Sequence, residues 1–185
     1  MESSKHTRWI ALLRAINVGG HTVKMERLRT LFAQLGFANV ASFIASGNVV
    51  FEAAASDART LERLIEQHLH DSLGYAVATF LRSPADLAAV AQHQPFASAD
   101  LADPANALYV AFLPTPPTAA AQTALLAYRS AVDDFHVHGC EIYWLCRTKI
   151  SDSAFSGARL EKAIAMPATM RNITTVRKLA AKYAD

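Results

Sequence analysis

The chain has 185 residues, 52% of them hydrophobic and 18% charged, with a net charge of +2 at neutral pH. That balance supplies a folded core and excludes a disordered chain. No apolar run reaches the ~20 residues that a membrane-spanning helix needs. The only two cysteines, Cys140 and Cys146, would lie ~20 Å apart on an extended strand, too far to bridge, and a reduced, cytoplasmic protein is expected.

The charge is segregated along the chain. Residues 1–35 carry six Lys/Arg against two Asp/Glu, residues 36–146 four against eleven, and residues 147–185 eight against three. Both ends are therefore basic, and a fold that joined them would present an electropositive surface to anionic partners. The start of the chain, MESSKHTRWIALLRAI, has a basic flank and a short apolar stretch. Arg14 interrupts it and no small-residue cleavage site follows, so it reads as a strand rather than a signal peptide.

Trp9–Ile16 is mostly apolar and suits a central strand. Over 24–35, Met25, Leu28, Leu31, Phe32 and Leu35 recur at steps of three and four, which predicts a helix stopped by Gly36. Two short β-rich runs, 40–45 and 49–52, join through Ser46-Gly47-Asn48, a hairpin signal. Leu61, Leu64, Ile65, Leu69 and Leu73 predict a second helix over 58–73, ended by Gly74. Residues 75–81 then read as a strand. The order β-α-β-β-α-β is that of a ferredoxin-like, split βαβ unit, with an antiparallel sheet and helices on one face.

Ser83-Pro84 opens a helix over 83–93 as cap and first turn, and 95–104 reads as a connecting loop. The pattern then begins again: a strand at 107–113, a rigid Pro114-Thr115-Pro116-Pro117 turn, and a helix at 119–131. A hairpin of 135–138 with 140–147 turns about Gly139. Helices follow at 157–165 and 173–183. The expectation is an α+β protein with two ferredoxin-like halves. The first covers 1–82, a connecting helix and loop 83–105, and the second 106–185, which reads β-α-β-β-α-α.

The stretch RAINVGGHTVKM carries the main candidate site. Gly19 and Gly20 allow a sharp turn that exposes consecutive N–H groups, and the helix that follows adds unpaired amides and partial positive charge. Arg14 and Lys24 add full charges, a combination that suits phosphate or carboxylate. Neither GxxxxGK[ST] nor GxGxxG is present, and a plain strand-to-helix turn with Asn17 bonded to the loop also accounts for these residues. A second candidate is MRNITTVRK, where Asn172 is placed to cap the last helix. An ordinary capped amphipathic helix explains most of that segment but not Arg171, which could hold an anion at the helix start.

His136 and His138 alternate onto one strand face, an H-x-H pair that can chelate zinc with Cys140 as a third ligand. Gly139 turns the chain there and no acidic residue completes the set, so no metal is expected. Tyr143 and Trp144 fall on opposite faces of their strand and the ribonucleoprotein signature is missing, so base stacking is not indicated. Nucleophilic catalysis has no anchor, since the G-x-S-x-G elbow is absent and neither cysteine carries a local activation signature.

LLRAINVGG, VKMERLRTLFAQLGF, SFIASGNVVF and ATMRNITTVRKL together resemble the bacterial family catalogued as domain of unknown function 1697. The resemblance spans nearly the whole chain. It implies a two-part α+β fold and no assigned activity. The family's characteristic positions fall on Arg14, Asn17, Gly19, Gly20, Lys24, Met25, Ser46, Gly47, Asn48, Arg171, Asn172, Thr175 and Lys178. The chain departs from the family pattern at Ala45, where a glutamine is usual, and at Ile173, where an aromatic is usual.

The function expected is binding of an anionic small molecule or nucleic acid in a cleft between the Arg14–Lys24 loop and the Arg171–Lys178 segment. Arg14, Lys24 and Arg171 would supply charge and Gly19 and Gly20 amides, with Asn172 and Lys178 also among the expected ligand-binding residues. Asn17, Ser46 and Asn48 would orient the ligand through hydrogen bonds. Two alternatives remain open: a small enzyme acting on a phosphorylated substrate, with His21 the one nearby base, and a structural module that dimerises without a ligand. No cofactor and no membrane contact are expected, and nothing in the sequence indicates an oligomer.

Overall fold

A computed structural model describes residues 6–17, 19–44, 47–54 and 56–183. The chain divides after Leu87 into two compact units, the second running from Ala88 to Lys182, with Tyr183 counted with the first.

The first unit contains β1 (His6–Leu13), α1 (Met25–Gln34), β2 (Ala38–Phe43), β3 (Asn48–Ala54), α2 (Ala58–Leu73) and β4 (Thr79–Arg82). Its sheet has the order β2-β3-β1-β4 and every pairing is antiparallel. The expected helical faces are the ones buried: Leu28, Leu31 and Phe32 of α1 and Leu61, Ile65 and Leu69 of α2 pack on Ala11, Leu13, Val49, Phe51 and Leu81 of the sheet. Leu64, expected in that face, is 45% exposed. It stands off the 61-65-69 line, one turn position out of the stripe. Asp57 caps α2 by accepting from the Thr60 amide at 3.0 Å, and Gly74 ends it in the left-handed region at φ +81°.

In this sheet β4 is an edge strand, and two glutamates of α2 cover its outward amides. Glu66 accepts from the Thr79 N–H at 2.8 Å and Glu62 from the Leu81 N–H at 2.9 Å. Edge strands left open are templates for unwanted pairing, and here side chains close the border.

α3 (Pro84–Gln92) follows, opened as expected by Ser83, whose hydroxyl accepts from the Asp86 amide while Asp86 reaches back to the Ser83 amide. This reciprocal pair is a capping box. The expected loop at 95–104 contains a five-residue helix, α4 (Ser98–Ala102).

The second unit adds β5 (Ala107–Phe112), α5 (Ala119–Leu126), β6 (Asp133–His138), β7 (Glu141–Cys146), α6 (Gly157–Ile164), β8 (Thr169–Asn172) and α7 (Ile173–Tyr183). The expected order lacked β8. With it the second sheet runs β6-β7-β5-β8, the same arrangement as the first. The strand escapes sequence reading because it is four residues long and ends at Asn172, a residue whose capping signal belongs to the next helix. α5 is shorter than the apolar run suggested. On the helix-covered face Trp144, Phe135, Ile142 and Phe155 form the core with Leu125, Leu160 and Ile164. Among the described residues no helix is long and apolar enough to cross a membrane.

Candidate functional site

In the first unit the strand-to-loop-to-helix passage is built as the glycines suggest. Gly19 and Gly20 sit at φ +65° and +86°, a region that favours glycine, and a Cβ at either would meet nothing within 4 Å. Their requirement is backbone conformation alone, and the segment faces open solvent. Asn17 closes the loop on itself, its Oδ1 accepting from the Val23 amide at 2.7 Å. That bond ties Asn17 to Val23, the residue before the N-cap of α1.

Lys24 occupies the N-cap of α1 and no side chain hydrogen-bonds the first-turn amides from that position. Serine, threonine, aspartate or asparagine would normally accept there. A helix start without such an acceptor keeps its partial positive charge available to an external anion. Lys24 is exposed and Arg14 half-buried; Glu26 and Arg27 stand exposed in the first turn. His21 stacks on Tyr75 with ring centroids 3.8 Å apart, and the Tyr75 hydroxyl donates to the Ile16 carbonyl at 3.3 Å. That stacking gives His21 a packing role beside the loop.

The hairpin residues lie differently. Asn48 is fully buried and its Nδ2 donates to the Phe43 carbonyl at 3.1 Å, bracing the β2–β3 turn. Gly47 is at φ +73°, where a Cβ would come within 2.7 Å of the Ile16 side chain, so glycine is needed for close approach. Ser46 and Ala45 lie outside the described residues.

In the second unit, Arg171 is 8% exposed. Its Nη1 donates to Thr169 Oγ1 at 2.8 Å and to the Met170 carbonyl at 2.9 Å. Burial pulls its pKa down to about 10, which leaves it charged at neutral pH. Asn172 accepts from the Thr174 amide at 2.8 Å, the capping bond read from the sequence. Asn172, Ile173, Thr174 and Arg177 line a cavity of about 250 Å³ with Asp103 and Asn106. Arg177 and Lys178 are exposed. Sequence reading singled out Arg171, whereas Arg177 is the guanidinium at the cavity. The alternation of β8 carries the signal, since it puts Arg171 with Thr169 on one buried face.

The aromatic pair on β7 is unavailable to bases: Tyr143 and Trp144 are both 0% exposed. His136 and His138 do share a face of β6, but their neighbour is His93 at the end of α3, with ring centroids 5.3 and 4.3 Å away. Burial, then the neighbouring imidazoles, push His93 below its ordinary value of 6.5, and His136 shifts the same way. The folded chain thus takes up fewer protons than the unfolded one as pH falls through the ordinary histidine range, and stability is lost on acidification. With chelator present, the melting temperature is expected to drop between about pH 7 and 5, and His93→Ala to flatten that slope, as read by thermal scans across buffers.

Two copies of a split βαβ sheet, the first opening on a glycine loop, define a ferredoxin-like α+β protein. The chain belongs to the family described as "Protein of unknown function (DUF1697)", whose model matches residues 6–143. The closing MRNITTVRK segment lies beyond that match. Among solved structures the chain is similar to "conserved bacterial protein SP0830 from Streptococcus pneumoniae", at 26% identity and a TM-score of 0.72, over 98% of this chain and 100% of that one. No curated protein matches the sequence significantly.

Proposed function

We propose that the protein binds an anionic group, the phosphate of a small molecule or of a nucleic acid, at the Arg14–Lys24 loop. The observation that carries this reading is the start of α1: Lys24 at its N-cap makes no side-chain cap hydrogen bond, a lysine stands where an acceptor is usual, and two left-handed glycines precede it in open space. Arg14 and Lys24 supply charge, Gly19 and Gly20 present amides, and Asn17 is tied to Val23 across the loop. The Arg171–Lys178 segment is a second basic element, in the other unit; there Asn172, Arg177 and Lys178 meet solvent and the buried Arg171 anchors the strand behind them.

Inorganic pyrophosphate and a short single-stranded oligonucleotide, titrated against isotope-labelled protein, test the reading. Amide resonances of Gly19, Gly20 and Met25 are expected to shift. Lys24→Ala should weaken binding about tenfold, the worth of one charge-assisted hydrogen bond, with little change in melting temperature because Lys24 is exposed. Oligonucleotide binding should fall steeply with salt. Shifts confined to other regions, or none at all, would overturn the proposal.

A further inference from the structure

We propose that His93, His136 and His138 form a binding site for a divalent transition-metal ion of the zinc class. The site lies wholly within the second unit and is independent of the anion loop.

The three histidines come from two elements. His136 and His138 alternate on β6, so the strand period puts both on the face opposite Phe135. His93 follows the last residue of α3, and its amide still donates to the Ala89 carbonyl at 3.0 Å, which fixes it on the helix end. One ring nitrogen from each residue can be chosen so that all three lie within 4.8 Å of one another. Around a tetrahedral ion with Zn–N bonds of ~2.0–2.1 Å, the ligand nitrogens would stand about 3.3 Å apart. The closure needed is small, and His138, which is exposed, can supply it by turning its side chain.

A second observation points to a ligand. Nε2 of His93 is buried and has no hydrogen-bond partner among the described residues. Buried polar atoms in native structures are nearly always satisfied, and an orphan costs about 1–3 kcal/mol. Three imidazoles brought together, one of them carrying a buried nitrogen without a partner among the described residues, give an ion a place to bind.

The surroundings suit a cation held by neutral imidazoles. Tyr143 and Phe96 flank the cluster, with ring centroids 5.0 Å from His93 and 6.5 Å from His136. The charged groups acting on His136 are Arg129 and Asp134, and the latter is engaged by Arg129 at 2.7 Å. The register sets the buried carboxylate of Glu141 opposite His138, a position from which an acidic group orients a ligating imidazole. An all-imidazole set selects zinc, copper, nickel or cobalt over magnesium or calcium. Three protein ligands leave a fourth position for water or another small ligand.

The test uses the untagged full chain, stripped with chelator and titrated with Zn²⁺ and, for its visible spectrum, Co²⁺. Binding should saturate at one ion per chain, raise the melting temperature and give cobalt bands without thiolate charge transfer, which separates the site from Cys140. His93→Ala and His138→Ala should each weaken binding by about 100-fold or more, while His70→Ala, exposed on α2, should leave it unchanged. His138→Ala alters an exposed side chain and serves as the variant whose fold is not in question. Zinc affinity equal in the wild type and His138→Ala, or a thiolate band in the cobalt spectrum, would overturn the proposal.

Discussion

Trp144→Ala is expected to lower the unfolding free energy by about 3–5 kcal/mol, the range for removing a fully buried tryptophan from a core. Trp144 is 0% exposed. Its ring meets Tyr109 at 5.5 Å and stands edge-on to Phe155 at 5.2 Å. Its indole N–H donates to Asp133 Oδ1 at 2.8 Å, and the Asp133 carboxylate also accepts from Ser153 Oγ. The substitution opens a cavity and takes one donor from a buried carboxylate at once. Trp144→Phe separates the two effects, keeping most of the ring volume while removing the donor, and should cost about 1–3 kcal/mol. Urea unfolding of the two variants checks both values; a loss below about 1 kcal/mol for Trp144→Ala would mean the ring does not pack as described.

Glu62→Ala is expected to cost about 2–3 kcal/mol, at the upper end for one hydrogen-bonded residue, because the carboxylate is buried and serves two donors. Glu62 is 5% exposed. One oxygen accepts from the Leu81 amide at 2.9 Å and the other from Arg59 at 3.0 Å. Truncation leaves the Leu81 N–H without this acceptor at the border of the sheet. Glu62→Gln retains an acceptor oxygen and should lose less than half as much. Guanidinium unfolding gives the energies, and faster hydrogen exchange at the Leu81 amide in Glu62→Ala locates the effect on β4. Unchanged exchange there would show that the edge does not depend on this side chain.

How far the sequence discloses this molecule varies by element for physical reasons. The second helix was legible to its ends because Leu61, Ile65 and Leu69 repeat at its period and Gly74 supplies the left-handed stop. β8 and α4 were not, being four and five residues long, too short for either periodicity to register. The glycine loop was legible from Gly19 and Gly20, since few other residues take those φ values. The N-cap at Lys24 was not read, because the periodic stripe that marks α1 leaves its first residue unspecified and the expected helix began at 24. The burial of Arg171 was hidden because the strand holding it went unread. The histidine cluster was half visible: His136 and His138 announce themselves two apart, whereas His93 reaches them only through the fold.

The placement of the opening strand in each unit sets a timetable for synthesis. β1 is interior, bordered by β3 on one side and β4 on the other, and β5 is likewise bordered by β7 and β8. A ribosome releases β1 first, yet its partners are residues 48–54 and 79–82. The nascent segment therefore waits, with Ile10 to Leu13 still wet, until nearly the whole first unit has emerged. Such long-range pairing delays closure, and an apolar strand waiting for its neighbours is the interval in which a chaperone has something to hold.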